Sequence, residues 1–299
     1  MISRFLFLVI LMLSLLQPTT GERTSAGVLE RVYSVNETLD PVIYQPVQHW
    51  KGRLQLKEYL EIMSKHFERN HIDWFATFGS LLAPVRNGIM MLPWDDDIDL
   101  AIPMAMRYKM SEGLKEATDV THAWCTMEQK RENLCNIWEL TDDGIYLLWK
   151  FWGIPWKVYN TRRLFKGFHL TFIDIYEYVH STKTIYIPNR ILKHGQVRGW
   201  SIPLEHIYPI GSMSVAFSGE VERDPSLGES VTVNLPHNPS AVIELTYGQD
   251  AMELCKTSFN HNDREFIKST FPCTLLPEQF YQPEKVIYHI EEQDMIGLP

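Results

Sequence analysis

The sequence predicts an α+β fold in which a mixed central sheet is flanked by helices. Three observations predict it. Apolar residues recur at helical spacing from Leu56 to Phe67. Two apolar runs of strand length follow, Trp74–Phe78 and Ile98–Ile102. A third, Phe168–Tyr176, comes after an aromatic-rich stretch of alternating residues. The chain has 299 residues, 45% of them hydrophobic and 22% charged, which is enough to bury a core without help from metal or disulfides. With 28 Lys+Arg against 37 Asp+Glu the net charge is −9, and no basic run is present. No nucleic-acid partner is expected, because displacing counterions from phosphate needs a basic stripe.

In chain order, Arg4 precedes the apolar run Phe5–Leu16, which ends at Gln17, Pro18 and the small residues up to Gly21. That run is too short for the ~20 residues that cross a bilayer, and it fits the h-region of a secretory signal peptide. Residues 1–21 are therefore read as a signal peptide cleaved near Gly21, or as a short signal anchor. Membrane association is expected only if the segment stays uncleaved. The destination is the secretory lumen, Golgi or ER, with secretion as a further outcome. Residues 22–52 are polar, contain Pro41 and Pro46, and read as a stem. Asn36-Glu37-Thr38 is an N-glycosylation sequon, whereas Pro239 disqualifies Asn238-Pro239-Ser240.

The remainder, 53–299, starts with the helix whose apolar stripe is Leu56, Tyr59, Leu60, Met63 and Phe67. The strand Trp74–Phe78 stops at Gly79-Ser80. The strand Ile98–Ile102 stops at Pro103, and Met104–Ala117 reads as a second helix. Trp124, Trp138, Trp149, Trp152 and Trp156 lie among short alternating runs that suggest antiparallel strands, with the rings in the core or stacked on a base or sugar. After residue 200 the chain is rich in Pro, Gly and Ser and reads as a loop-dominated closing segment with one helix at Ala241–Tyr247. Cys125, Cys135, Cys255 and Cys273 suit an oxidising compartment. Of the three connectivities, the short loops favour Cys125 with Cys135 and Cys255 with Cys273, and no CxxC pair supports zinc.

The chemistry is concentrated in Pro93-Trp94-Asp95-Asp96-Asp97-Ile98-Asp99. Strand side chains alternate, so Asp97 and Asp99 share a face, as two oxygen ligands of one divalent ion must. Asp174 interrupts an otherwise apolar strand and supplies a third acid. All-oxygen ligation suits Mg²⁺ or Mn²⁺. A calcium EF-hand is excluded, since a loop starting at Asp95 puts Leu100 where Gly is required. A glycosyltransferase using Asp95-x-Asp97 as its metal motif stays open on these residues alone. Upstream, Phe78-Gly79-Ser80-Leu81-Leu82 puts a Gly-Ser turn between strand and helix, where backbone N–H groups can receive a phosphate. His169 falls on the strand face opposite Asp174 and reads as structural. Lys157, Arg162, Arg163 and Lys166 read as a solvated basic surface.

Gly-Ser, then Asp-x-Asp on the next strand and an Asp on a third, resembles the catalytic signature of the polymerase-β-like nucleotidyltransferase fold. The stretch Gly79-Ser80-Leu81-Leu82-Ala83-Pro84-Val85-Arg86 with Pro93–Asp99 resembles, more narrowly, the LicD/fukutin family. Its pattern runs approximately G-[ST]-L-L-G-x-x-R, a Gly-containing loop and P-W-D-D-D-I-D. Phe172–Tyr176, Tyr208-Pro209, Pro236–Pro239 and Tyr247–Asp250 extend the likeness over about 55–252. Ala83-Pro84 departs from it where Gly is commoner, and the loop to Pro93 is about one residue longer.

The resemblance implies transfer of a phospho-alcohol, of ribitol-phosphate or phosphocholine type, from a CDP-linked donor to a glycan hydroxyl. It implies Mg²⁺ or Mn²⁺ on Asp97, Asp99 and Asp174, with Asp174 or Asp97 orienting the acceptor hydroxyl. Gly79 and Ser80 would bind donor phosphate. Arg86 would hold a phosphate oxygen or pair with Asp95 or Asp96, two acids expected to shape the loop. A glycosyltransferase and a non-catalytic glycosylation scaffold are the alternatives.

Overall fold

In the computed structural model the apolar stripe from Leu56 to Phe67 is the inner face of a 20-residue helix, α1 (Trp50–Arg69), and Arg53 lies on the same buried face. The structure describes residues 30–32, 34, 36–39, 50–120, 125, 127–132, 134–150, 156–160, 171–191, 197–257, 268–285 and 287–289. The expected signal peptide, Trp124, Trp152, Arg162, Arg163, Lys166 and His169 lie outside these residues. Helix α1 stops where His71 takes a left-handed φ of 50°. His71 N–H bonds to the Glu68 carbonyl and Ile72 N–H to that of Phe67, while Ile72 and Phe67 are both buried. This is the double-bonded C-terminal stop with its apolar clasp.

The remaining elements in chain order are β1 (Glu30–Val32), β2 (Phe75–Ala76), α2 (Phe78–Asn87), β3 (Ile89–Met91), β4 (Ile98–Pro103), β5 (Lys115–Glu116), α3 (Met127–Arg131), β6 (Cys135–Glu139), β7 (Ile145–Lys150), β8 (Trp156–Asn160), β9 (Phe172–His180), β10 (Thr184–Ile191), β11 (Val197–Pro203), β12 (Gly211–Ser218), β13 (Ser230–Leu235), α4 (Pro239–Tyr247), β14 (Leu254–Thr257), β15 (Lys268–Pro272) and β16 (Ile287–His289). A nine-stranded sheet runs β11-β10-β9-β8-β7-β6-β5, with β4 parallel to β9 and β2 antiparallel to β4. That parallel pair makes the central sheet mixed, and the fold class is α+β. A four-stranded sheet, β13-β12-β16 with β3 parallel to β12, and a three-stranded sheet, β1-β15-β14, complete the topology. The main apolar cluster joins α1 to β4, β8, β9, β12 and β13. None of the described helices is long and apolar enough to cross a membrane.

Four expectations need correction. The strand over Trp74–Phe78 is only Phe75–Ala76, because Phe78 turns the chain with a φ of 50° and opens α2. Met104–Ala117 is not an α-helix but a 3-10 stretch, Met104–Ser111, and then β5. Only Met110 of that stretch is buried, so no apolar stripe holds an α-helix there, and Gly113 at φ 73° breaks the run. The segment after 200 is built on strands: Met213, Val215 and Phe217 alternate inward along β12, as do Val231, Val233 and Leu235 along β13. The central strand reaches further than Tyr176, to His180. Within the stretch read as a stem, Glu30–Val32 pairs in parallel with β15 and Leu39 is buried. Asn36 stands exposed in a turn.

Both expected disulfides are present, Cys125–Cys135 and Cys255–Cys273. Each lies inside a satellite core of its own, one with Ile137, Tyr146 and Leu148, the other with Ala83, Ile89 and Phe271. Trp138, Trp149 and Trp156 pack on one another with ring centres 5.7 and 6.4 Å apart. Trp156 donates its indole N–H to buried Glu177 at 2.8 Å, so this ring is part of the core.

Candidate metal centre

The centre is assembled where α2 starts beside β4. Thr77, extended and buried, donates its N–H to the Asp99 carbonyl at 3.0 Å and accepts from Leu81 N–H at 3.1 Å. The next residue, Phe78, is a bulky side chain held at positive φ, a conformation that persists only where its surroundings enforce it. Its ring is packed between Tyr176, 4.9 Å away and edge-on, and Trp200, 4.6 Å away. The helix then begins, and by geometry the N–H groups of its first turn, Phe78, Gly79 and Ser80, have no intrahelical acceptor. Ser80 Oγ accepts the Asp99 N–H at 2.8 Å. Both backbone groups of Asp99 are thereby tied to the helix start.

The acidic loop is fastened from the other side by α1. Arg53, fully buried, donates through Nη2 to the carbonyls of Leu92 and Pro93, each at 2.9 Å, and through Nη1 to Ser218 Oγ at 3.3 Å. Its Nε lies 2.7 Å from Glu220 Oε2. Trp94 packs edge-on against Phe271, 6.0 Å between centres. Asp95 folds back so that Oδ2 accepts the Leu92 N–H at 2.8 Å. With the loop pinned at Leu92, Pro93 and Trp94, the chain enters β4 with Asp97 and Asp99 on one side.

Across the sheet, Asp99 stands opposite Asp174 of β9. Carboxylate oxygens of Asp97, Asp99 and Asp174 all lie within 4.8 Å of one another. Burial and the charges of Asp96, Asp174 and Asp95 raise Asp97 to about 8. Burial, then Asp97 and Asp174, raises Asp99 well above the usual carboxylate range, and burial with the charges of Asp99, Asp174 and Asp97 pushes the Tyr176 phenol up as well. Burial raises Asp174 as well, against the pull of Lys157. Desolvation also raises Asp95, held by its turn, to about 6. Three oxygen donors that withhold their charge from one another in this way have the composition of a hard-cation site, and a divalent ion would relieve their repulsion.

Asp97, Asp99 and Asp174 are thus brought together, with Gly79 and Ser80 beside them. A Cβ placed on Gly79 would stand 3.8 Å from Asp95 Oδ1. Arg86 is not gathered into this group. It is buried at the far end of α2, where Nη1 donates to the carbonyls of Ala251 and Leu254 and Nε to Asn87 Oδ1. Burial lowers it to about 10, and its charge reaches Asp95 only through space. Arg86 here joins α2 to Ala251 and to Leu254, the first residue of β14.

Sequence reasoning missed three groups. Lys157 is not a solvated surface residue, since its Nζ is bonded to Asp174 Oδ1. No local signal marks it, because the pairing of β8 with β9 must be known first. Tyr176, the second residue after Asp174, shares its strand face and could have been found by alternation. Arg53 could have been found as a charge on an apolar helix stripe, three residues before Leu56.

Residues 71–219 match the sequence model of the LicD/FKTN/FKRP nucleotidyltransferase domain. The match contains α2, β4, β8 and β9, hence all three acids, and it is shorter than the span 55–252 expected from the motifs. No curated protein matches the chain.

Proposed function

Because the chain belongs to the LicD/fukutin family, whose members are generally transferases linked to glycosylation, we propose that it moves a phospho-alcohol group from a CDP-linked donor to a glycan hydroxyl. One observation carries this reading: the three carboxylates converge within 4.8 Å at the start of a helix whose first N–H groups are available for phosphate. Asp97, Asp99 and Asp174 would hold Mg²⁺ or Mn²⁺. When bound, such an ion supplies neutralisation of the charge that develops on a transferring phosphoryl group.

The chain's own residues do the rest. Gly79 and Ser80 N–H groups point donor phosphate toward the acids, and Gly79 leaves room for close approach. Ser80 Oγ keeps Asp99 in place through its backbone N–H. Asp174, or Asp97 when a single ion is present, orients the acceptor hydroxyl and takes its proton. Asp95 and Asp96 belong to the loop that delivers Asp97. Asp95 is committed to the Leu92 N–H, which favours Asp97 with Asp99 over Asp95 with Asp97 as the ligand pair. The two disulfides and the exposed sequon at Asn36 support work in the secretory lumen.

The test is to incubate the protein with CDP-ribitol, CDP-choline, CDP-glycerol and UDP-sugars, with Mg²⁺ or Mn²⁺ and a panel of glycan acceptors. Chromatography then identifies the nucleotide released. CMP with a phospho-alcohol on the glycan supports the reading, while UDP from a sugar donor replaces it with the glycosyltransferase. Binding of neither ion nor donor leaves the scaffold. Gly79→Ala, for which the structure has room, should raise the donor's KM by about tenfold if its N–H must approach phosphate.

A further inference from the structure

On the same sheet as the acids stands a cation that the reaction above does not use. Lys157 on β8 lies opposite Asp174 on β9, which lies opposite Asp99 on β4. The three side chains form a cross-strand row on one face. Lys157 Nζ donates to Asp174 Oδ1, and the same ammonium is 3.9 Å from the centre of the Phe172 ring. Phe172, two residues before Asp174, shares that face. The side chains of Lys157 and Asp174 are only 15% and 4% exposed. The two arginines nearby are committed elsewhere, Arg53 to Leu92, Pro93 and Glu220, Arg86 to Ala251, Leu254 and Asn87.

A divalent ion on Asp97, Asp99 and Asp174 has to share Asp174 with this ammonium. Two cations at one carboxylate repel, and a lysine on its flexible four-carbon stem yields before a strand does. The negative charge that accompanies the ion is the donor's pyrophosphate, and an ammonium is a good point-charge partner for phosphate. We infer that Lys157 is an exchangeable counter-cation. It neutralises the acid cluster before metal arrives, leaves Asp174 Oδ1 when metal binds, and pairs with a donor phosphate oxygen. This rests on the metal-dependent transfer proposed above.

Lys157→Met keeps the stem and removes the charge. By calorimetry at about pH 8.5, where protons compete less for the acids, Mn²⁺ should bind the variant roughly tenfold more tightly than the wild type. In EDTA the variant should melt at a lower temperature than wild type, and Mn²⁺ should close the gap. Its KM for the CDP-linked donor should rise by about tenfold. A merely structural pair would lower melting equally with EDTA and with Mn²⁺ and leave Mn²⁺ affinity unchanged, and that result overturns the inference.

The wild-type chain gives an independent reading that needs no variant to fold. Acetylation of the Lys157 amine, followed by mass spectrometry, should be slow in EDTA, several-fold faster with Mg²⁺, and slow again with Mg²⁺ plus CDP. Labelling that ignores Mg²⁺ also overturns the inference. If wild type binds neither Mn²⁺ nor CDP, the transfer reading fails. If it binds both while Lys157 responds to neither, only the role of Lys157 fails.

Discussion

Asp97 is one of three neighbouring acids, with Asp99 and Asp174, whose raised pKa makes the protein respond to pH. Raised to about 8 by burial and by Asp96, Asp174 and Asp95, it keeps a proton in the folded chain over a range where the unfolded chain, near the ordinary ~3.9, has lost it. A carboxyl raised in this sense contributes stability that is complete below about pH 4 and is lost as pH rises through about 8. A divalent ion reverses the sign, because it binds the deprotonated acids. Thermal melts at about pH 5, 7 and 9 in EDTA should therefore fall with pH more steeply for wild type than for Asp97→Asn, and the gain from Mn²⁺ should grow with pH. Identical slopes for the two proteins would remove Asp97 as the cause. The other two acids part company in the apo state. Asp99→Asn relieves like-charge crowding and should melt no lower than wild type. Asp174→Asn takes away the carboxylate that Lys157 is bonded to and should melt lower. Both should lose the Mn²⁺-induced shift, and an unchanged shift in either would remove that acid from the ligand set.

At the scale of elements, the acids depend on how α1, α2 and β4 are laced together. Arg53 is the point where α1 holds the loop before Asp95, through two carbonyls and Glu220. Arg53→Met leaves Glu220 buried without its cation and frees both carbonyls, which should cost about 3–5 kcal/mol in urea unfolding. Mn²⁺ affinity should fall with it, although Arg53 touches no ligand. A variant that is destabilised but binds Mn²⁺ as wild type does would make Arg53 a core residue only. These links explain what could be read from the chain. The α1 stripe, the strand of Asp99 and the strand of Asp174 were legible because each is a local period, and Asp97 with Asp99 followed from alternation alone. Phe78 fits a strand pattern by its ring, whereas at φ 50° that ring packs on Tyr176 and Trp200, contacts the local pattern does not reveal. β12 and β13 alternate plainly, but their outward Ser and Thr residues look like loop composition. The partners of Lys157 and Arg86 are not legible for one shared reason: they are far away in sequence, and only strand pairing or helix packing supplies them.

For the whole molecule the disulfides divide the labour unequally. Cys125–Cys135 closes a separation of 10 residues inside the peripheral core of Ile137, Tyr146 and Leu148. Cys255–Cys273 closes one of 18 between β14 and β15, in the core that also holds Ala83, Ile89 and Leu92. On loop entropy alone the two bridges should stabilise the fold by about 3 kcal/mol each, the longer loop by roughly 0.5 kcal/mol more. Their positions predict a larger difference in function. Arg86 reaches from α2 to the carbonyls of Ala251 and Leu254, and Leu254 adjoins Cys255. Opening Cys255–Cys273 therefore slackens the far anchor of the helix whose first turn holds Asp99 through Thr77 and Ser80. Cys125→Ala with Cys135→Ala should lower the unfolding free energy while Mn²⁺ affinity below the transition stays as in wild type. Cys255→Ala with Cys273→Ala should lower both. Chemical denaturation combined with Mn²⁺ calorimetry on the two double variants measures this. Equal Mn²⁺ affinities for the two pairs would show that the α2 start is held by its β4 contacts alone.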